Sequence, residues 1–435
     1  MGCAHYYPFT EGGDTAFSVD ASTVKYGPGV LREIGDDAQV LGMTRVMLLT
    51  DARVAKTEHV ATVQESLARA GVEVILYDDV AVEPTDGSFK AAARFASGGK
   101  FDGYVAAGGG STIDTAKAAN LYATYPADFL DYVNAPIGKA KPVPGPLKPL
   151  IACPTTSGTG SECTPIAIFD LLSMKAKTGI VSRRLRPSLG IVDPEVTRTL
   201  PATVVACSGF DVLCHAVESF TALPYTRRAR PATPRLRPAS QGANPYSDMA
   251  CAEAMRLTGR YIVRAVKDAK DTEAREQMMF AATLAGIGFG NAGCHAPHGM
   301  SYSVSGLVRD FEAKGYPAGM PLVPHGMSVI LNAPAVFRFT AQACPERHLS
   351  AAGMLGADTT DADLKDAGRL LADTIIQLMK ATGMPNGLRG VGYTEADIDE
   401  LAKGAFPQHR LLKNAPREIT MGDLRGIYRD ALTYW

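Results

Sequence analysis

Tryptophan occurs once in these 435 residues, and histidine and cysteine eight times each. The cysteines (3, 153, 163, 207, 214, 251, 294 and 344) form no Cys-x-x-Cys pair, which excludes a zinc ribbon or a thioredoxin-type redox motif. Most lie in apolar phrases such as Leu213-Cys214 and Ala250-Cys251, where a buried inert thiol is expected and a reducing compartment suits it. No charge of one sign is in surplus: 44 Lys and Arg stand against 45 Asp and Glu, a net −1. That balance excludes a general nucleic-acid binder, which needs excess positive charge. No unbroken apolar run reaches the roughly 18 residues of a membrane span, so no membrane partner is expected. Met1 to Thr10 lacks both a basic region and an apolar core, so neither a signal nor a transit peptide is expected there. Tyr6 stands where a myristoylation signal needs Ser or Thr. The expected setting is the cytoplasm, or a mitochondrial matrix if the source is a eukaryote.

What the chain does contain is an ordinary globular balance, 46% hydrophobic and 20% charged, over a length that suits two or three domains. Short apolar runs at Arg45–Thr50, Val72–Tyr77, Tyr104–Ala107 and Pro149–Pro154 alternate with helical periods at Val54–Ala70, Ser88–Ala96 and Thr112–Tyr122. Such alternation predicts βαβ units and a parallel sheet. After Pro201 the periodicity is helical: Val204–Phe220, Asp248–Lys267, Thr272–Gly286, Val329–Thr340, Asp363–Ala381 and Glu395–Gly404. The division expected is an α/β unit over residues 1–205 and a helical unit over 206–435. Arg227 to Pro238 holds five arginines among three prolines and reads as a long basic loop.

Two loops follow strands in the first half. Gly108-Gly109-Gly110-Ser111, leading to Asp114 and Lys117, opens a helix, where glycines admit an anion and free N–H groups favour phosphate. A plain turn with a serine cap explains the same letters. Pro154 to Glu162 sets five hydroxyls in seven residues, from Thr155 and Thr156 to Ser161: enough to bind a ribose, an amide or a phosphate, or simply a capped turn. Both loops belong at strand carboxyl ends, where open α/β sheets bind ligands. Asp51, after another strand, suits a ribose hydroxyl or a helix cap. Gly288-Phe289-Gly290-Asn291-Ala292-Gly293 spells a dinucleotide fingerprint, but it follows a helix, so helix packing or a chain reversal is expected.

In the helical half, Asp211 and His215 are spaced to share one helix face. His298 and His325 stand in Cys294-His295-Ala296-Pro297-His298-Gly299 and Pro324-His325-Gly326. One carboxylate and several imidazoles suit Fe²⁺, Zn²⁺ or a neighbouring ion; a helix pair plus scattered packing histidines is the alternative. Glu162 and Glu218 read as ion pairs or caps.

Taken together, the phrases Gly108–Lys117, Pro154–Glu162, Gly209–Ser219, His298–Tyr302 and Pro324–Ser328 resemble the iron-containing (group III) alcohol dehydrogenase family. The resemblance implies an N-terminal Rossmann-like dinucleotide domain and an all-helical metal-binding domain, the dehydroquinate synthase-like architecture. It places metal ligands on Asp211, His215, His298 and His325. It places cofactor contacts on Asp51, Gly109, Gly110, Ser111, Asp114, Thr155, Thr156 and Lys177. Further phrases (Val82–Asp86, Asp128–Val133, Pro321–Gly326, Phe339–Leu349, Leu355–Asp358) are similar to the hydroxyacid–oxoacid transhydrogenase branch. That branch implies oxidation of 4-hydroxybutyrate to succinate semialdehyde coupled to reduction of 2-oxoglutarate to 2-hydroxyglutarate. Bound NAD would carry the hydride, with Fe²⁺ or Zn²⁺ as Lewis acid and a homodimer as the assembly.

Two departures from ordinary family members stand out. Tyr302 replaces a histidine four residues after the third ligand, where it either donates to a substrate oxygen or packs. The stretch between His298 and His325 is also longer than in ordinary members, adding Arg309, Lys314 and neighbours. Apart from these, His295 is an extra imidazole that suits a supporting place beside the ligands. Substrate carboxylates need cationic anchors, for which Arg309, Lys314 and the Arg227–Arg237 loop are candidates, a solvated basic surface being the alternative. A freely exchanging NAD-dependent alcohol or 4-hydroxybutyrate dehydrogenase is the second functional expectation. A metal-dependent lyase or cyclase is the third.

Overall fold

The computed structural model describes residues 6–435 apart from Lys175, Pro317 and Met320, so Cys3 and the Met-Gly opening lie outside the described residues. Residues 20–199 form one compact unit; residues 200–435, with the stretch ending at Val19, form another. The arm before Asp20 therefore groups with the helical unit, whereas the sequence expectation placed it with the α/β unit.

The α/β unit is built on a six-stranded parallel sheet of β1 (Val24–Tyr26), β2 (Arg45–Leu49), β3 (Glu73–Tyr77), β4 (Gly103–Gly108), β5 (Leu150–Pro154) and β8 (Leu189–Val192). Their order is β1-β8-β5-β4-β2-β3. Helices α1 (Ile34–Val40), α2 (Glu58–Arg69), α3 (Asp86–Gly98), α4 (Gly110–Thr124) and the single turn α5 (Phe129–Tyr132) connect them. β4 and β5 are buried along their whole length, as parallel strands covered on both faces must be. β2 leads outward to β3, and the chain then returns to place β4 on its other side. The order therefore reverses between β2 and β4, the point where open sheets take ligands. The antiparallel hairpin β6 (Ile166–Leu171) and β7 (Ala176–Val181), paired Asp170 to Lys177, was not expected. Lys177, Thr178 and Gly179 leave β7 no apolar run to read.

In the helical unit, α6 (Ala202–Thr221) runs through the core against α7 (Pro245–Lys267), α8 (Thr272–Ala292) and α10 (His325–Ile330). α6 is long and apolar enough to cross a bilayer, yet nearly all of it is buried inside this unit. α9 (Ala296–Gly306) follows α8. α11 (Ala333–Thr340), α12 (Pro345–Met354), α13 (Ala367–Ala381), α14 (Ile398–Ala405), α15 (His409–Leu412) and α16 (Met421–Asp430) complete it. The single helix expected over Val329–Thr340 is split between α10 and α11, with Pro334 in the opening turn of the second, where its missing N–H costs nothing. Two of the fingerprint-like glycines have structural work: a β-carbon at Gly288 would lie 2.4 Å from Cys251 Sγ, and Gly293, at φ 84°, ends α8.

The basic loop holds the N-terminal arm. Asp14 N–H donates to Arg228 O at 2.8 Å, Arg230 N–H to Gly12 O at 3.0 Å, and Arg237 grips the Asp14 carboxylate with two bonds of 2.8 Å. Further along, Gln241 pairs both backbone groups of Ser18.

Candidate metal centre and dinucleotide loops

Asp211, His215 and Glu218 lie at i, i+4 and i+7 on α6 and so share one face. His298 enters from the first turn of α9, and His325 is the first residue of α10, after Pro324. Around Asp211 Oδ1 stand His298 Nε2 at 3.4 Å, His215 Nε2 at 3.6 Å and His325 Nε2 at 3.6 Å. Asp211, His215 and His298 are buried, while the His325 side chain keeps 26% exposure, which leaves one open side. Burial pulls the Asp211 carboxylate up, but His215 and His325, then His298, outweigh it and hold it below the usual range. Burial lowers His215 to about 3, so that ring is neutral and able to bind a cation.

Whether these residues fit a metal is decided by what they leave unsatisfied. Asp211 Oδ1 and His298 Nε2 are buried and make no hydrogen bond. Orphaned buried acceptors are costly, and a divalent cation among one carboxylate and three imidazoles satisfies them together. The donors suit a first-row ion at a catalytic site with an open position. Cys294 Sγ also reaches His215 and His298, but burial pushes its thiol up to about 11.

Glu218, read from sequence as an ion pair or cap, touches the site. Its Oε1 lies 2.6 Å from His298 Nδ1 and its Oε2 accepts the His295 backbone N–H at 2.7 Å. The i+7 spacing from Asp211 was the available signal. His295 caps α9: its Nδ1 accepts Ala296 N–H at 2.8 Å, leaving Nε2–H for Thr221 Oγ1 at 3.0 Å. Phe289 stacks on His215, ring centres 3.9 Å apart. Tyr302 is buried on α9 one turn beyond His298.

In the α/β unit, the two loops leave adjacent strands in register, Gly108 opposite Pro154. Thr155 N–H donates to Gly108 O at 3.0 Å. A β-carbon on Gly109 would sit 3.5 Å from Thr156 Oγ1, and one on Gly110 only 2.5 Å from the Thr159 methyl. Ser111 Oγ accepts Glu83 N–H at 3.2 Å. Asp51 Oδ1 accepts Arg53 N–H and Val54 N–H, the capping alternative. Asp114 stitches α4 to the second loop and the hairpin, accepting Ser161 Oγ at 2.6 Å and Ile168 N–H at 2.9 Å. Beside it the fully buried Lys117 donates to Ser161 Oγ, Thr164 Oγ1 and Ile166 O, and burial lowers its ammonium to about 8. Lys177 is clamped by Glu83 at 2.7 Å and Asp170 at 3.1 Å. Sequence reasoning assigned no role to Glu83, Asp170 or Lys117, which are ordinary charges until the fold pairs them.

Residues 21–194 match the family described as iron-containing alcohol dehydrogenase, and residues 239–432 match its C-terminal domain family. The chain belongs to the iron-containing alcohol dehydrogenase family. It is thus a metal-dependent oxidoreductase acting on CH–OH groups. Among its relatives is the mitochondrial hydroxyacid-oxoacid transhydrogenase of Bos taurus, 53% identical over 421 residues, covering 96% of this chain and 90% of that one. Among solved structures, a 1,3-propanediol oxidoreductase superposes with a TM-score of 0.83 at 29% identity, over 96% of this chain and all of that one. A sulfoacetaldehyde reductase from Bifidobacterium kashiwanohense, solved with NAD⁺, gives 0.78 at 28% identity, over 96% and 99%.

Three of the cationic anchors expected from sequence, Arg309, Arg228 and Arg237, are engaged with partners inside the protein. Arg309 pairs with Asp397 at 2.8 Å and donates to Gly392 O at 2.7 Å. Arg228 donates to Asn414 and Arg237 holds Asp14.

Proposed function

We propose that this family member is a hydroxyacid–oxoacid transhydrogenase. It oxidises 4-hydroxybutyrate to succinate semialdehyde and reduces 2-oxoglutarate to 2-hydroxyglutarate; bound NAD would supply the hydride-carrying chemistry between the two. The observation that carries the chemistry is the convergence of three imidazole nitrogens on Asp211 Oδ1. The substrate pair rests on the 53% identity to relatives bearing that name.

Asp211, His215, His298 and His325 would hold the ion, Fe²⁺ by family or Zn²⁺ by donor set. When bound, that ion supplies Lewis acidity toward the reacting oxygen. Phe289 and Glu218 keep His215 and His298 in place. Tyr302, one turn beyond His298, either donates to the substrate oxygen or packs. Gly109, Gly110, Ser111, Thr155 and Thr156 would receive the dinucleotide, with Asp51 at the ribose. Asp114 and Lys177 act by fixing the loops through Ser161, Glu83 and Asp170. A dimer, and a reducing compartment such as a mitochondrial matrix or the cytoplasm, complete the reading; the relatives are named as mitochondrial. The described cysteines are free thiols.

The test is incubation of the purified protein with 4-hydroxybutyrate and 2-oxoglutarate without added NAD, following 2-hydroxyglutarate. Product supports the reading. Strict dependence on added NAD assigns the protein to the freely exchanging dehydrogenases instead, and no redox product rejects both.

A further inference from the structure

We propose that Glu218 is a positioning residue of the metal centre, fixing which nitrogen of His298 meets the ion and where the start of α9 lies against α6. The inference rests on the metal reading of the site given above.

Glu218 is fully buried, seven residues after Asp211 on the same helix face. An ionised carboxylate can only accept hydrogen bonds. With Glu218 Oε1 2.6 Å from His298 Nδ1, that nitrogen carries a hydrogen, so in the neutral ring that a cation requires the lone pair is left on Nε2. Nε2 is the atom that faces Asp211 Oδ1 and has no hydrogen-bond partner. Turning the ring over would break a charge-assisted bond inside a buried site.

The second oxygen does separate work. Glu218 Oε2 accepts His295 N–H, just before α9. His295 in turn donates Nε2–H to Thr221 Oγ1, whose hydroxyl passes its hydrogen to Val217 O at 2.8 Å. α6, which already carries Asp211 and His215, therefore grips the start of α9 through Glu218 and Thr221. One side chain thus sets both the orientation of the third ligand and its distance from the first two. Glutamine could not replace it. Its amide offers one oxygen where three N–H groups (His298 Nδ1–H and the backbone N–H of His295 and His298) are served by two, so at least one donor would face an NH₂ group.

The test uses the full chain stripped of metal, without substrate or nucleotide. Competition with a chromophoric chelator gives the Kd for Zn²⁺ and Co²⁺ in wild type and in Glu218→Gln, with circular dichroism as the control for folding. The expected result is a Kd raised about 10–100-fold in a folded variant, with a changed visible spectrum of the Co²⁺ form. A Kd within about twofold of wild type overturns the proposal. Should the variant not fold, ¹⁵N-histidine NMR of zinc-loaded wild type decides: His298 protonated on Nδ1 and ligating through Nε2 is expected, and the opposite tautomer overturns it. Tight, Glu218-dependent metal binding in a protein that shows no transhydrogenation would sink the functional reading alone.

Discussion

Thr159 lies so close over Gly110 that a β-carbon on the glycine would stand 2.5 Å from the threonine methyl and 2.8 Å from its hydroxyl. The two loops at the sheet's carboxyl edge are thus fitted to each other before any ligand arrives. Gly110→Ala must push Thr159 aside, so NAD affinity should fall at least about tenfold, because a misplaced loop loses several contacts at once. Removing the obstruction in the double variant Gly110→Ala/Thr159→Gly should recover much of that loss. Isothermal titration with NAD reads both, and a single variant that binds normally would show that the close approach does not matter.

The metal centre predicts an all-or-none outcome at His215. Its ring is held between Phe289 and His298, with ring centres 3.9 and 4.6 Å away. His215→Ala should abolish turnover and leave metal content below about a tenth of wild type by elemental analysis, since a lost ligand also loosens its stacked neighbour. Full metal stoichiometry in that variant would remove His215 from the ligand set.

Arg309 is exposed and already paired with Asp397. Arg309→Ala should therefore leave the KM for 4-hydroxybutyrate and for 2-oxoglutarate within about twofold, as for other exposed ion pairs. A selective rise in KM for carboxylated substrates over simple alcohols would restore it as an anchor.

The N-terminal arm carries a pH signature. The Arg237 guanidinium holds the Asp14 carboxyl below the usual carboxylate range, against the opposing effect of burial. A group whose folded pKa is lowered stabilises above its unfolded value, near about 4, and loses that contribution as pH falls through the folded one. Hydrogen exchange over residues 6–19 should accordingly be faster in Asp14→Asn than in wild type at pH 7. The difference should close as pH drops below about 4. A gap that persists unchanged at pH 3 would mean that the ion pair does not hold the arm.

Arg347 is 1% exposed, forks onto Asp248, donates to Phe220 O and lies 3.7 Å over the Phe220 ring and 4.2 Å over that of Tyr6. Arg347→Met strands the Asp248 carboxylate and should cost about 3–5 kcal/mol in urea unfolding. The double variant Arg347→Met/Asp248→Leu should cost less, because it leaves no lone charge.

The sequence by itself determined the class of the fold and the kind of chemistry. Strand and helix periods are local, so β2 to β5 and α2 to α4 could be read within a few residues, and Asp211 and His215 declare their shared face by spacing alone. Lys177 and Asp114 had letters but no visible partners: Glu83 lies 94 residues from Lys177, and Ser161 lies 47 from Asp114. The hairpin β6–β7 was hidden by its second strand, where Lys177, Thr178 and Gly179 break any apolar run and Lys177 is held across the pairing by Asp170. Arg237 of the basic loop looked like an anion anchor until the fold brought it against Asp14, 223 residues away. Tertiary structure alone decided that three imidazoles meet on one carboxylate oxygen and that Glu218 sits behind His298. Periodicity reports which face a residue takes, while the identity of the atom opposite depends on how distant helices pack.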